Sequence, residues 1–181
     1  KSVLTVKTPK IPNNITLRFV PTPDDIVDEM SKLAKIGKDD VVSDLGCGDA
    51  VMLIRPIQKF GAKRGVGVEI DPKIIKKAQA NVKKAKLEDK IEIRKGDMLK
   101  MTEKDVADAT VVLIYIGDDL GERVGPVLKK ALKPGARIVS HRFILGDWTP
   151  NRSLKGKGED GSEYDQHPGI VGGTKKLDKD K

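Results

Sequence analysis

"DLGCGDA", residues 44–50, decides how this chain is read. It follows "DDVVS" at 39–43, so an apolar strand ends at Asp44. A helix-forming stretch runs from Ala50 to Phe60 beyond it. A glycine-rich turn between a strand and a helix lets a ligand lie close to the backbone. Yet this turn carries two aspartates, Asp44 and Asp49, in a chain of net charge +8. The ligand must suit glycine and negative charge together.

Working outward, "FVPTPDDIVDEM" at 19–30 opens a helix. Thr22 is read as its cap, Pro23 as its first residue, and Asp24 and Asp25 as its acidic first turn. Ile26, Val27, Met30, Leu33 and Ala34 then share one face. Pro56 is expected to kink the helix after the glycine turn or delay its start. "RGVGVEID" at 64–71 is a second strand. Asp71 and Pro72 start the next helix, which buries Ile74, Ile75, Ala78, Val82 and Ala85. "KIEIRKGD" at 90–97 is a third strand. "ATVVLIYIGD" at 109–118 is a fourth, apolar on both faces. A helix through Leu120, Val124, Val127, Leu128 and Leu132 ends at "KPG", and "ARIVSHRFIL" at 136–145 is a fifth strand.

This alternation predicts an α/β fold: a doubly wound, Rossmann-like, mostly parallel sheet with helices on both faces. Residues 1–18 read as a basic N-terminal segment with a short strand at Val3–Val6. Residues 19–172 read as a single domain with a core at 19–150. A terminal hairpin at 152–172 would turn at Glu159-Asp160-Gly161, although Pro168 counts against its second strand. Residues 173–181 read as a charged, disordered tail.

Hydrophobic residues make up 38% and charged residues 34%, the balance of a soluble globular chain. No apolar run is long enough to span a bilayer and no signal-peptide pattern opens the sequence, so no membrane partner and a cytoplasmic location are expected. The single cysteine, Cys47, allows no intrachain disulfide. Cys47 reads as a small filler of the turn. His141 and His167 lack metal-ligand spacing, so no metal is expected. The positive charge admits nucleic acid or an anionic protein surface as a partner, or a merely solvated lysine surface. Aromatics at 3% argue against a base-stacking platform.

The first acid after strand two is Glu69, about 20 positions past Gly48, the spacing of a ribose-binding carboxylate. Dinucleotide enzymes and methyltransferases share it. A dinucleotide fingerprint would need glycine at position 51, where Val51 stands. A pyrophosphate would also meet Asp44 and Asp49, and one like-charge pair at ~4 Å costs roughly 4 kcal/mol at an effective dielectric of 20. A nicotinamide oxidoreductase is therefore disfavoured. S-adenosylmethionine has a cationic sulfonium and ammonium and no phosphate, so it suits glycine and acid together. Asp97, after strand three, can accept from the adenine amino group. Ile70 and Met98 can sandwich the ring, and Gly46 and Gly48 admit the methionine portion. Singly, Asp97 also fits a turn, and Ile70 and Met98 also fit the core.

The ordered set Asp44-Gly46-Gly48, Glu69 and Asp97 resembles the class I S-adenosylmethionine-dependent methyltransferases. "FVPTP", "DLGCGDA", "GVEID", "VVLIYI" and "LKPGARIVSHRFILGDW" resemble, more narrowly, small archaeal protein-lysine methyltransferases and their mitochondrial relatives. The likeness spans about Phe19 to Trp148. It implies methyl transfer to lysine side chains of protein substrates. Val20, Pro21 and Thr22 would close over the cofactor. Tyr115 would line the channel where amine meets methyl and is the candidate catalytic residue, orienting the amine. His141 and Arg142 follow strand five and could border the substrate entrance, neither as a catalytic group, while His141 reads first as a satisfied strand-end histidine; Trp148 could cap the core or the cofactor's edge. The chain departs from the family at Ala50, in place of a last loop glycine, at Val51, where arginine is common, and at Pro56. Ala50 is expected to have a negative φ. Alternative readings are an RNA or small-molecule methyltransferase and a cofactor-binding protein without turnover. "IYIGDD" after strand four, in place of Asn-Pro-Pro-Tyr, argues against methylation of base amines.

Overall fold

The computed structural model describes residues 19–146, 150, 154–157, 161 and 163–170. The expected strand at Val3–Val6, Trp148, the turn residues Glu159 and Asp160, and the tail lie outside them. Five strands run parallel: β1 (Val41–Leu45), β2 (Arg64–Glu69), β3 (Ile91–Lys95), β4 (Val111–Ile114) and β5 (Arg137–His141). Helices α1 (Asp24–Leu33), α2 (Val51–Phe60) and α3 (Pro72–Lys84) link or precede the first three. A 3-10 turn (Met98–Lys100), a short α4 (Glu103–Val106) and α5 (Asp118–Ala131) complete the connections. Strands β6 (Leu154–Lys157) and β7 (Glu163–Ile170) form the terminal hairpin, and β7 joins β5 antiparallel. The sheet order is β3-β2-β1-β4-β5-β7-β6. The chain therefore reverses its direction of winding between β1 and β4, where α/β proteins form ligand crevices.

Strands β1 and β4 are buried at every position. For β4 this matches an unbroken apolar run covered on both faces, whereas in β1 it takes Ser43 and Asp44 into the interior. The period of two then divides β4. Val111 and Leu113 pack with Ile26, Val27 and Met30 of α1 and Leu53 and Ile57 of α2. Val112 and Ile114 pack with Leu120, Val124 and Leu128 of α5 on the other face.

Several local expectations need correction. Thr22 is not the cap of α1: Pro23 holds that position with no side-chain capping bond, and Thr22 lies one residue earlier, buried. Pro56 does not delay α2, which starts at Val51 and continues through Pro56 to Phe60. Ala50 has φ +70°, not a negative value. Left-handed backbone costs an alanine about 1–2 kcal/mol, but its methyl is fully buried. Burying one such group contributes about 0.8 kcal/mol, and alanine loses less backbone entropy than glycine, by roughly 0.5–1 kcal/mol. The terms nearly cancel. Pro168 is accommodated in β7 because β6 pairs only as far as Gln166. A proline is tolerated where one side of a strand is open. No spacing signalled the 3-10 turn. Helix α4 likewise escaped the sequence reading, although Thr102 and Asp105 form a capping box at its start that was the available signal.

Helix α1 is tied to α2 by charge. Arg55 donates from Nε and a terminal nitrogen to the two carboxyl oxygens of Asp28, at 2.8 and 2.7 Å, and to Asp24 at 2.7 Å. Lys59 adds a bond of 2.8 Å to Asp28. The Arg55 guanidinium, with Lys59, holds the Asp28 carboxyl down at about 2. The stabilisation is complete above the unfolded value of 3.8 and is lost as pH falls through about 2. Arg55→Ala should cost about 1–2 kcal/mol at pH 7, read by denaturant titration, with the deficit vanishing toward pH 2. Ala50→Gly should change stability by less than about 1 kcal/mol in the same assay.

Candidate active site

A cleft of about 870 Å³ opens at the carboxyl ends of the strands, at the winding reversal. Asp44 and the turn Gly46-Cys47-Gly48 reach it from β1, and Glu69 and Ile70 from β2. Asp97 and Met98 follow β3, and Tyr115 follows β4. Val20 and Thr22 enter from the segment before α1. Thus the ten residues read as cofactor-binding or catalytic line one cavity, whereas Pro21, His141 and Arg142 are not among its lining. Ile70 and Val20 are about half exposed, at 49% and 52%, which core residues would not be.

Asp44 is 1% exposed. Neither carboxyl oxygen has a hydrogen-bond partner among the described residues. Burial pushes its carboxyl well above the usual range, and the charges of Glu69 and Asp49 add to the shift. Buried acids are ordinarily paired, so this one is set to meet a cation or a donor from the cleft. Glu69 Oε1 accepts from the backbone N–H groups of Ile70 and Asp71 at 2.8 and 3.1 Å, and Oε2 from Gly48 at 3.1 Å. A carboxylate has about four acceptor sites, which leaves Oε2 one for a ligand hydroxyl. Asp97 uses Oδ1 to accept from Leu99 N–H at 2.9 Å, capping the 3-10 turn.

Three features escaped the sequence reading. Phe19 lies over the glycine turn: a Cβ on Gly48, whose φ is +54°, would stand 2.3 Å from the ring. Lys77 sits 4.9 Å from that ring's centroid. Phe143, also a lining residue, stacks with Tyr115 at 6.2 Å between centroids. The loop carrying Phe143 is seated against α5, where a Cβ on Gly125 would lie 2.7 Å from the Leu145 carbonyl oxygen. Glycine spacing inside an amphipathic helix was the available signal. His141 is buried behind Tyr115 and meets it edge-on at 4.7 Å, so it does not border the entrance. Arg142 is exposed, and its N–H donates to the Asp165 carbonyl at 2.8 Å. The Cys47 thiol is buried, and burial together with Asp44 and Glu69 pushes its pKa up, so it is an inert filler.

Among the described residues the lining contains five acids, Asp44, Asp49, Glu69, Asp71 and Asp97, and no lysine or arginine. A sheet of this order, with an acid-lined cleft at its reversal that would repel phosphate, defines a class I S-adenosylmethionine-dependent methyltransferase. The chain belongs to the family of the ANTKMT methyltransferase domain, whose model matches residues 44–152. It is 40% identical over 137 residues to a protein-lysine N-methyltransferase of Saccharolobus islandicus, covering 76% of this chain and 83% of that protein. Among solved structures, an RNA methyltransferase from Salinibacter ruber in complex with S-adenosylhomocysteine is 38% identical. The superposition has a TM-score of 0.76 and covers 90% of this chain and all of that one. A Geobacter sulfurreducens methyltransferase, also bound to S-adenosylhomocysteine, shares the fold at 19% identity, with a TM-score of 0.58 and coverage of 77% and 53%. The protein is an S-adenosylmethionine-dependent methyltransferase. No helix among the described residues is long and apolar enough to cross a membrane.

Asp44 generates a test in which stability and binding move in opposite directions. Its folded carboxyl titrates above the unfolded value of 3.8. The free protein therefore loses stability as pH rises from about 4 toward that raised value. A bound cation reverses the shift, so binding should release a proton in that window, detectable by calorimetry in buffers of different ionisation enthalpy. Asp44→Asn should leave the melting temperature of the free protein unchanged or higher, while cofactor affinity falls by at least about tenfold.

Proposed function

We propose that the enzyme methylates lysine side chains of cytoplasmic proteins, and that the cleft divides into a cofactor half and an amine port. Glu69 accepts from the ribose hydroxyls through its remaining lone pair. Asp97 Oδ2 accepts from the adenine amino group, and Ile70 and Met98 flank the ring. Gly46 and Gly48 admit the methionine portion, and Asp44 faces its ammonium group. Val20 and Thr22, held by the α1–α2 ion pairs, cover the cofactor's outer side.

The observation that carries the lysine assignment is the charge of the lining. Among the described residues, no lysine or arginine lines the cleft wall of this basic protein. An RNA substrate brings phosphates, which need cations near the reacting base. A lysine side chain is itself a cation on an apolar stem, and an acidic mouth attracts it. The relationship to a protein-lysine N-methyltransferase supports this reading. The relationship to an RNA methyltransferase makes RNA the alternative to test.

The bound cofactor supplies an electrophilic methyl group on sulfur. The protein's own part is to present the amine neutral and in line. Free lysine has a pKa near ~10.4, so most of it is charged at neutral pH. Entry past the stacked Tyr115 and Phe143 rings strips water from the ammonium and favours loss of its proton. The Tyr115 hydroxyl or ring face then fixes the amine's direction, and Phe143 and the buried His141 ring fix Tyr115.

Incubation with cofactor carrying a labelled methyl should place label on lysines of a protein mixture and not on purified RNA. Label appearing only in RNA would refute the assignment. Tyr115→Phe should lower kcat about tenfold and Tyr115→Ala about a hundredfold, equivalent to about 1.4 and 2.7 kcal/mol, with cofactor affinity nearly unchanged by calorimetry.

A further inference from the structure

One helix carries a run of positive charge with no acid among it. Helix α3 carries Lys73, Lys76, Lys77, Lys83 and Lys84, and no acidic residue. All five lysines are exposed. At 3.6 residues per turn they fall within a stripe about 120° wide. The opposite side of the helix, Ile75, Ala78 and Val82, is buried in the core. No ion pair engages these five lysines among the described residues. Lys77 alone has a ring partner, Phe19. By contrast, the acids of α1 are met by Arg55 and Lys59 of α2. Asp71 at the start of α3 is the nearest acid in sequence on that side, and its carboxylate caps the helix by accepting from Lys73 N–H. Beyond the helix, Glu88 and Asp89 stand among Lys86, Leu87 and Lys90.

Five like charges on one face repel one another and lower stability. Lys73 and Lys76 also lie in the first turns, where the helix dipole disfavours a cation. An anionic partner removes both costs. The stripe runs about 17 Å from Lys73 to Lys84 at 1.5 Å per residue, and a nucleic-acid duplex presents one phosphate charge per ~1.7 Å of axis. We infer that the lysine face of α3 is a docking surface for the phosphate backbone of a nucleic-acid duplex, separate from the acidic cleft. A membrane surface fits less well, because the apolar side of α3 is committed to the core and has nothing to insert. A single strand fits less well, because the face holds no aromatic side chain on which bases could stack. Lysines without arginines suit backbone contact without base reading. Ile74, between these lysines in sequence, lines the cleft. A docked duplex would therefore lie beside the mouth, and protein bound to the same nucleic acid would be presented to it. The inference does not depend on the lysine assignment, since it concerns where the enzyme docks and not what it methylates.

The test uses the full chain, a mixed-sequence 30-base-pair duplex as probe, and K76E/K83E, which touches neither cleft nor Phe19. Binding followed by fluorescence anisotropy across a salt series should give log affinity falling with log salt at a slope near −4, for about four to five phosphate contacts. The double variant should lose more than about tenfold in affinity at 0.1 M salt, and the slope should shrink by about 2. Its melting temperature should equal or exceed that of the wild type, since two repelling cations are removed, and its methylation of a free lysine peptide should match the wild type. An unchanged slope and affinity in the variant would overturn the inference, as would wild-type binding to anionic vesicles or polyglutamate but not to duplex. Failure of lysine labelling in the earlier experiment would leave this slope unaffected, so the two readings can fail separately.

Discussion

A carboxyl group on the central strand of the sheet, buried and without a partner, is the constraint around which the molecule is arranged. Removing an ionised carboxylate from water costs several kcal/mol unless a counter-charge meets it. Asp44 carries that cost at the point where β1 and β4 separate, with Glu69 and Asp49 adding repulsion. Such an arrangement persists only if a cationic ligand compensates it. The same repulsion excludes phosphorylated coenzymes from a crevice whose fold would otherwise suit them. Strand position and electrostatics together narrow a common architecture to one kind of methyl donor.

The surrounding structure protects that crevice by separating charge. Acids point into the cleft, and the cations of α2 are used on the acids of α1. That clamp anchors the segment from Phe19 to Pro23, whose first ring covers Gly48. On the far side, the small residues of α5 let the β5 loop approach, and this brings Phe143 to Tyr115. The cleft is thus bordered by two aromatic residues, Phe19 and Phe143, that arrive from distant parts of the chain. The five lysines of α3 lie outside the cleft, on a solvent face of that helix.

Much of this could be read from residue order. The unbroken apolar run at β4 indicated a strand covered on both faces. The acids and glycines at strand ends indicated the cleft, because in a parallel sheet all such ends lie on one side. Local rules failed where tertiary packing outweighed them. Thr22 resembles a cap, yet the chain buries it against the cleft. Ala50 adopts a glycine's backbone because its methyl fills a core position. Pro56 sits within α2 because the amphipathic packing of Leu53 and Ile57 outweighs one lost hydrogen bond.

By itself the sequence determined the alternation of strands and helices, the strand-end acids and, through their charge, the type of cofactor. These depend on periodicity and on residues near one another in the chain. Only the tertiary structure decided that Asp44 is stripped of partners, that Phe19 covers Gly48, and that Phe143 and His141 frame Tyr115. It also decided that five lysines share a solvent face while none reaches the cleft. Each of these depends on close approach between segments far apart in sequence, and such distances are set by packing, not by local pattern.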